Sequence, residues 1–400
     1  RTPLQDREGP TFAATKRTFL KNGTDVYEPG ETFRQPDLAE TLRRIQRDGH
    51  DGFYRGKTAR LLADFMREHG GMITEEDLAV YEAVEQAPIH GTYRGYDIYA
   101  MPPPSSGGVA IVEMLNILEG FDLSEIGQNS ALYLHLLTES MRRAFADRAM
   151  YLGDPAFNPD MPLARLTSKE YADELRSTID LFMASESDSA SFGGAYIAES
   201  EETTHYSVVD AEGNAVSVTY TLEFGYGSSM VVPGAGFLLN NEMGDFNPIP
   251  GRTTSEGMIG TPPNVVAPEK QMLSSMTPTI VARDGKAVLV VGSPGGRTII
   301  NTVLQVVLNV IDHGMAGSKL GQAVESPRIH HQWLPDVTNF EAWGFSPDTR
   351  RLYEMMGHEV RFRGGQGSAM AIYIDATEGI VWGAADSRAF DGGAAGGGRQ

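Results

Sequence analysis

The chain contains no cysteine. That absence removes disulfides, thiolate nucleophiles and Cys-ligated zinc. Basic residues are scarce: 33 Lys and Arg stand against 53 Asp and Glu, a net charge of −20. Nucleic acid needs a basic face, so it is not an expected partner. No apolar run approaches the roughly 18 residues of a membrane span. No signal peptide opens the chain, and no internal repeat is visible. The start, RTPLQDREGP, has no Met and enters polar sequence directly, so it reads as a fragment or a processed chain. The glycine-rich turn GSPGG at residues 292–296 lacks the Gly-Lys-Ser/Thr of a phosphate-binding loop.

What is present suits a globular fold. The 400 residues are 41% apolar, enough for a sizeable core, and the 45 glycines supply tight turns. Residues 38–45 and 58–66 carry apolar side chains at helical spacing, and TEED at 74–77 starts another short helix. Residues 92–101 (TYRGYDIYAM) read as one aromatic-rich strand, broken off by MPPPSSGG at 101–108. Helices are expected at 109–118, at 131–151 (amphipathic) and at 168–181; residues 183–191 read as exposed low-complexity sequence. From residue 203 the texture changes. Strand pairs at 205–209 and 215–221, at 278–282 and 287–291, and at 370–375 and 380–384 flank turns, with a helix at 298–311. Helices first and antiparallel strands later give an α+β class.

One junction carries chemistry. In ESEETTHYSVVD (residues 199–210) an acidic, loop-like run meets a strand at Thr203 without a gap. A threonine hydroxyl is a weak nucleophile unless a base adjoins it. An N-terminal threonine has that base in its own α-amine, whose ordinary pKa near 8 suits proton transfer at working pH. An internal threonine acquires it only if the preceding bond is cut. Thr-Thr before a strand is also what β-propensity alone produces. Downstream, NNEMGDF (240–246) gathers carboxylates fit to hold an ammonium, LSSM (273–276) offers two hydroxyls, and GSPGG offers turn amides for an oxyanion.

In this order, TTHYSVVDAEGNAVSVTYTL, NNEMGDF, LSSMTPTIV and GSPGGRTI resemble the small subunit of a γ-glutamyltranspeptidase. Upstream, FYRG, GGMITEEDLAVYEA, TYRGYDIYAMPPPSSGG and AFADR resemble the same family's large subunit, so that the resemblance runs from about residue 38 to 391. It implies an N-terminal-nucleophile hydrolase with a four-layer αββα sandwich. It implies autocatalytic cleavage between Glu202 and Thr203, giving a large-subunit part (1–202) and a small subunit (203–400) that fold together as one domain.

By the same resemblance, Thr203 attacks the γ-amide of glutathione or another γ-glutamyl compound, and water or an amino acid or dipeptide acceptor resolves the acyl-enzyme. Thr221 supports the nucleophile. Gly295 and Gly296 supply the oxyanion donors. Glu223, Glu242 and Asp245 receive the substrate α-ammonium, and Ser274 and Ser275 its α-carboxylate. Glu223 stands where several members have Asn. The arginine that grips the carboxylate in the family has no counterpart before Leu38, because Arg34 and Arg43 lack its context. A lid loop falls at residues 247–271, with Glu256 where an aromatic is common.

No cofactor or metal is implied, and the family is usually periplasmic or secreted. The alternatives are a glutaryl or cephalosporin acylase and an inactive truncated relative. His135 and Glu139, one helical turn apart, are not expected to hold a metal. Asp147 and Arg148 are expected to pair or cap, His330 and His331 to pack, and Asp386 and Asp391 to form turns.

Overall fold

The computed structural model of the chain describes residues 3–187 and 203–397. Glu202 and residues 188–191 of the low-complexity stretch therefore lie outside the described residues. Two compact units are resolved: residues 1–86 with 222–242, and residues 87–221 with 243–400.

The first unit is helical. Pro at the first turn starts helix Pro36–Asp48, where a missing N–H costs nothing. Its buried Thr41 donates to the Ala235 carbonyl at 2.7 Å. Helix Gly56–His69 turns Ala59, Leu62 and Phe65 inward against Leu78, Val232 and Ala235. Helix Glu75–Ala79 begins with the reciprocal Thr74–Asp77 capping box anticipated from TEED.

The second unit is built on strands β1 (Ile89–Tyr93), β2 (Tyr96–Ala100), β3 (Thr204–Val209), β4 (Ala215–Tyr220), β5 (Thr279–Arg283), β6 (Lys286–Gly292), β7 (Ile329–His330), β8 (Thr338–Glu341), β9 (Val360–Arg363), β10 (Met370–Asp375) and β11 (Ile380–Ala385). Six of them form an antiparallel sheet in the order β1-β2-β5-β6-β10-β11. A separate β3–β4 hairpin packs on β6 and β10, and β7-β8-β9 form a small mixed sheet. The chain is thus α+β with mainly antiparallel sheets.

The single strand expected over residues 92–101 is two strands. The chain reverses at Arg94 and Gly95, with φ of 51° and 79°. A two-residue turn of this kind holds positive φ at both positions, and Gly95 supplies one without strain.

Helices Gly107–Leu118, Ala131–Tyr151 and Thr298–Ile311 share the main core with Ile98, Val281, Leu289 and Val291 of the sheet. Helix Ala131–Tyr151 has its predicted ends but is not a surface helix. Leu134, Leu137 and Met141 are buried, and so are His135, Glu139 and Ser140. His135 is held by His358 and Asp180 from other segments, while Glu139 pairs with Arg142 and Arg143 and Ser140 donates to the Leu137 carbonyl on the same helix. Helix Lys169–Ser177 is shorter than residues 168–181 suggested. Ser168 caps its start, and Thr178 closes its end by donating to the Leu175 carbonyl at 2.6 Å.

Candidate functional site

Thr203 immediately precedes β3, whose pairing with β4 runs from Thr204↔Tyr220 to Val209↔Ala215. That register brings the Thr203 hydroxyl to 3.4 Å from the Thr221 hydroxyl, just beyond the end of β4. The two threonines named from sequence therefore meet across one hairpin. Residues two apart on a strand share a face, so Thr203, His205 and Ser207 point the same way. All three line a cavity of about 370 Å³ that also borders Pro294 and Asp391.

His205 was not singled out from sequence, although TTH contains it. It is buried, and its ring nitrogens face the hydroxyls of Thr219 at 2.8 Å and Ser207 at 3.1 Å. Burial pulls its pKa down to about 4, so it is neutral at working pH. It packs so closely on Gly292 that a Cβ there would lie 2.1 Å from the ring.

Gly292 begins the GSPGG turn into helix Thr298–Ile311. Gly295 and Gly296 take φ of 130° and 55°. Their carbonyls accept from the Thr298 and Ile299 amides at 3.1 Å each. Among the described residues, neither glycine N–H donates a hydrogen bond, so both remain available to an incoming oxygen.

Ser274 and Ser275 sit against MPPPSSGG. The Ser274 N–H donates to the Pro104 carbonyl at 3.1 Å, and the Ser274 carbonyl accepts from the Ser106 N–H at 2.9 Å. Arg148 donates to the hydroxyls of Ser106 at 2.8 Å and Ser275 at 3.0 Å. Its neighbour Asp147 instead accepts from the Tyr171 hydroxyl at 2.7 Å, so the two adjacent charges serve different partners. Asp245 closes a short 3-10 turn, and its main-chain carbonyl accepts from Asn264 at 2.7 Å. Glu256 lies at an exposed turn inside the 247–271 loop. The loop is tied by bonds from the Asn247, Gly251 and Thr254 amides to the Asn264, Gly260 and Met258 carbonyls.

Glu223 and Glu242 belong to the first unit. Glu223 holds a left-handed φ of 71°, unusual for a residue with a Cβ. Asn241 secures it, donating to the Glu223 carboxylate while accepting from the Phe224 N–H at 3.1 Å. Glu242 is buried and one of its carboxylate oxygens has no partner. Burial raises its pKa above the ordinary glutamate value, and the Glu223 main-chain N–H opposes this. An orphaned buried carboxylate oxygen is a costly feature that a cationic ligand would satisfy.

His135 and Glu139 gain a third companion, His358, from outside their helix, and the three are close enough together to hold an ion. The surrounding bonds argue against one. Glu139 is engaged by Arg142 and by Arg143, and a cation there would face two guanidiniums. His135 already uses both ring nitrogens, on His358 at 2.7 Å and the Asp180 carbonyl at 2.8 Å. Asp386 is more than a turn former. It is buried between Arg328 at 2.6 Å and the neighbouring Arg388 at 2.9 Å; Arg328 lies 58 residues away, and no local pattern reveals it.

A family model described as gamma-glutamyltranspeptidase matches residues 3–396. The match begins far upstream of residue 38, where the motif resemblance started. The glutathione hydrolase proenzyme of Escherichia coli (strain K12) is 47% identical over 382 residues, covering 96% of this chain and 65% of its own length. That of Bacillus subtilis (strain 168) is 40% identical over 389 residues, covering 94% and 63% respectively. The crystal structure of a cephalosporin acylase from Bacillus halodurans superposes with a TM-score of 0.81 at 27% identity, over 98% of this chain and 68% of that one. The chain spans just under two thirds of the length of the curated relatives it matches first.

Proposed function

The chain belongs to the γ-glutamyltranspeptidase family, and from that premise we propose that the protein is a γ-glutamyltransferase with glutathione hydrolase activity, working through Thr203. The observation that carries the reading is the Thr203–Thr221 hydroxyl pair at the head of a rigid hairpin. Cleavage of the Glu202–Thr203 bond frees the Thr203 α-amine, which takes the hydroxyl proton as the oxygen attacks the γ-carbonyl carbon. Thr221 supports the attacking oxygen. The unpartnered amides of Gly295 and Gly296 are suited to the oxyanion that forms. Collapse expels the donor's amine, which leaves with the proton. Water or an acceptor amine then attacks the ester carbon and regenerates Thr203.

Glu223, Glu242 and Asp245 receive the α-ammonium, and Ser274 and Ser275 the α-carboxylate. The orphaned oxygen of Glu242 supports this assignment. The hydrolase type implies the αββα sandwich, with residues 1–202 and 203–400 as its two subunits. Export to the periplasm or medium accords with the family. Among the described residues no helix is long and apolar enough to cross a membrane.

An acylase reading draws on the superposed cephalosporin acylase. A glutaryl side chain has no ammonium, however, and would leave the buried Glu242 oxygen unsatisfied. The test compares release of nitroaniline from γ-glutamyl and glutaryl anilides by the wild-type protein and by Thr203→Ala. The expected result is turnover of the γ-glutamyl donor by a protein split at Glu202–Thr203. The Thr203→Ala chain should stay intact and lose activity by at least about a thousandfold. An intact chain with full turnover, or preference for the glutaryl donor, overturns the proposal.

A further inference from the structure

The MPPPSSGG segment and Arg148 have no role in the reading above, yet both converge on the serine pair. Arg148 is 7% exposed and reaches from helix Ala131–Tyr151. Its Nη2 donates to the Ser275 hydroxyl at 3.0 Å and its Nε to the Ser106 hydroxyl at 2.8 Å. Ser106 passes its own hydrogen to the Ser274 carbonyl at 2.8 Å, and its N–H reaches the same carbonyl at 2.9 Å. Ser105 adds a bridge to the Met276 carbonyl at 2.7 Å. One guanidinium thus fixes the side chain of Ser275 directly and the main chain of Ser274 through Ser106.

The chemistry of that contact is directional. A guanidinium only donates, whereas a serine hydroxyl has one hydrogen and two acceptor sites. Arg148 therefore occupies an acceptor site of Ser275 and cannot receive its hydrogen. Ser275 is left to present that hydrogen to some other acceptor, and the adjoining positive charge strengthens it as a donor. An anionic oxygen beside the pair would also feel that charge in a poorly solvated site.

We propose that Arg148 is the positioning residue for the donor's α-carboxylate, holding Ser274 and Ser275 as oriented hydroxyl donors and supplying cationic charge behind them. This rests on the γ-glutamyl reading of the site. The AFADR and PPPSSGG motifs then act together, since the helix carries the cation and the turn carries the serine that relays it.

The test compares γ-glutamyl p-nitroanilide with γ-aminobutyryl p-nitroanilide, which keeps the ammonium and lacks the carboxylate. Arg148→Gln should raise KM for the γ-glutamyl donor about tenfold, the worth of one charge-assisted contact, while kcat falls less than about threefold. The discrimination between the two donors should shrink by the same factor, and Arg148→Lys should restore part of it. A purely structural role predicts instead an equal loss on both donors, and that outcome overturns the proposal, as does an unchanged KM. If Arg148→Gln fails to fold or self-cleave, Ser106→Ala decides. It removes only the relay and should raise KM for the γ-glutamyl donor about threefold without changing that for the decarboxylated one. An unchanged ratio in that variant sinks the idea. Wild-type protein inactive on both donors would refute the γ-glutamyl reading itself. An active wild type with indifferent Arg148 and Ser106 variants would refute only the positioning role.

Discussion

His330 shows how one residue ties stability to pH. The Asn301 side-chain amide donates to its Nδ1 at 2.7 Å, and that amide is oriented by a second bond to the His331 carbonyl at 3.0 Å. The opposite nitrogen, Nε2, faces the Gln332 side-chain oxygen at 2.8 Å and donates to it. The ring is therefore neutral, and protonating Nδ1 would break the Asn301 bond inside a fully buried site. Burial accordingly pulls its pKa down to about 3. The folded state thus binds fewer protons than the unfolded chain between that value and the ordinary histidine value near 6.5. Stability from this group is complete above the unfolded pKa and declines as pH falls through that window. Of the stabilisation present at neutral pH, ~2 kcal/mol should be gone near pH 5. A His330→Gln variant lacks the titration. Its stability deficit against wild type, measured by chemical unfolding, should narrow by about that amount on going from neutral pH to about pH 5. A deficit that stays constant with pH would contradict the account.

The β3–β4 hairpin places Thr203, the proposed nucleophile, and its seat is set by one small residue on β6. Gly292 faces the His205 ring, with no room for a methyl group between them. Ser217 of β4 adds a bond to the Val291 carbonyl at 3.1 Å, so the hairpin is held to β6 from both strands. Gly292→Ala should force the hairpin outward at a cost of about 1–3 kcal/mol, the usual range for overpacking. Because Thr203 begins that hairpin, self-cleavage should slow along with the loss in melting temperature. A variant that melts lower but cleaves at the wild-type rate would show that the seat and the junction are independent.

Much of this element level was legible in the residues. Alternating β-branched residues around DAEGN marked the hairpin, and the helix at 298–311 appeared with its observed ends. The β1–β2 turn was missed because aromatic residues on both sides of Arg94-Gly95 look like one continuous strand. The contacts of Arg148 with Ser275 and of Asp386 with Arg328 were invisible for a different reason. They join positions 127 and 58 residues apart, and no local periodicity encodes them.

At the scale of the whole molecule the dominant physical fact is charge. A chain of net charge −20 surrounds itself with a negative potential that repels anions of the same sign. The proposed natural donor, glutathione, is such an anion at neutral pH, because its glycyl carboxylate is unmatched. The γ-glutamyl anilide is a zwitterion without net charge. In the proposed site both would present the same head group to the serines and carboxylates, so those contacts cancel in a comparison and the long-range field separates them. Salt shortens the reach of that field from about 30 Å at 0.01 M to about 8 Å at 0.15 M. Raising sodium chloride across that interval should therefore increase kcat/KM for glutathione by about twofold or more while leaving the anilide nearly unchanged. The effect should appear in KM, because the proposed chemical step at Thr203 follows encounter. A fall in kcat/KM for glutathione with added salt would mean that local cationic groups outweigh the global charge. The acidic surface would then have no part in selecting the donor.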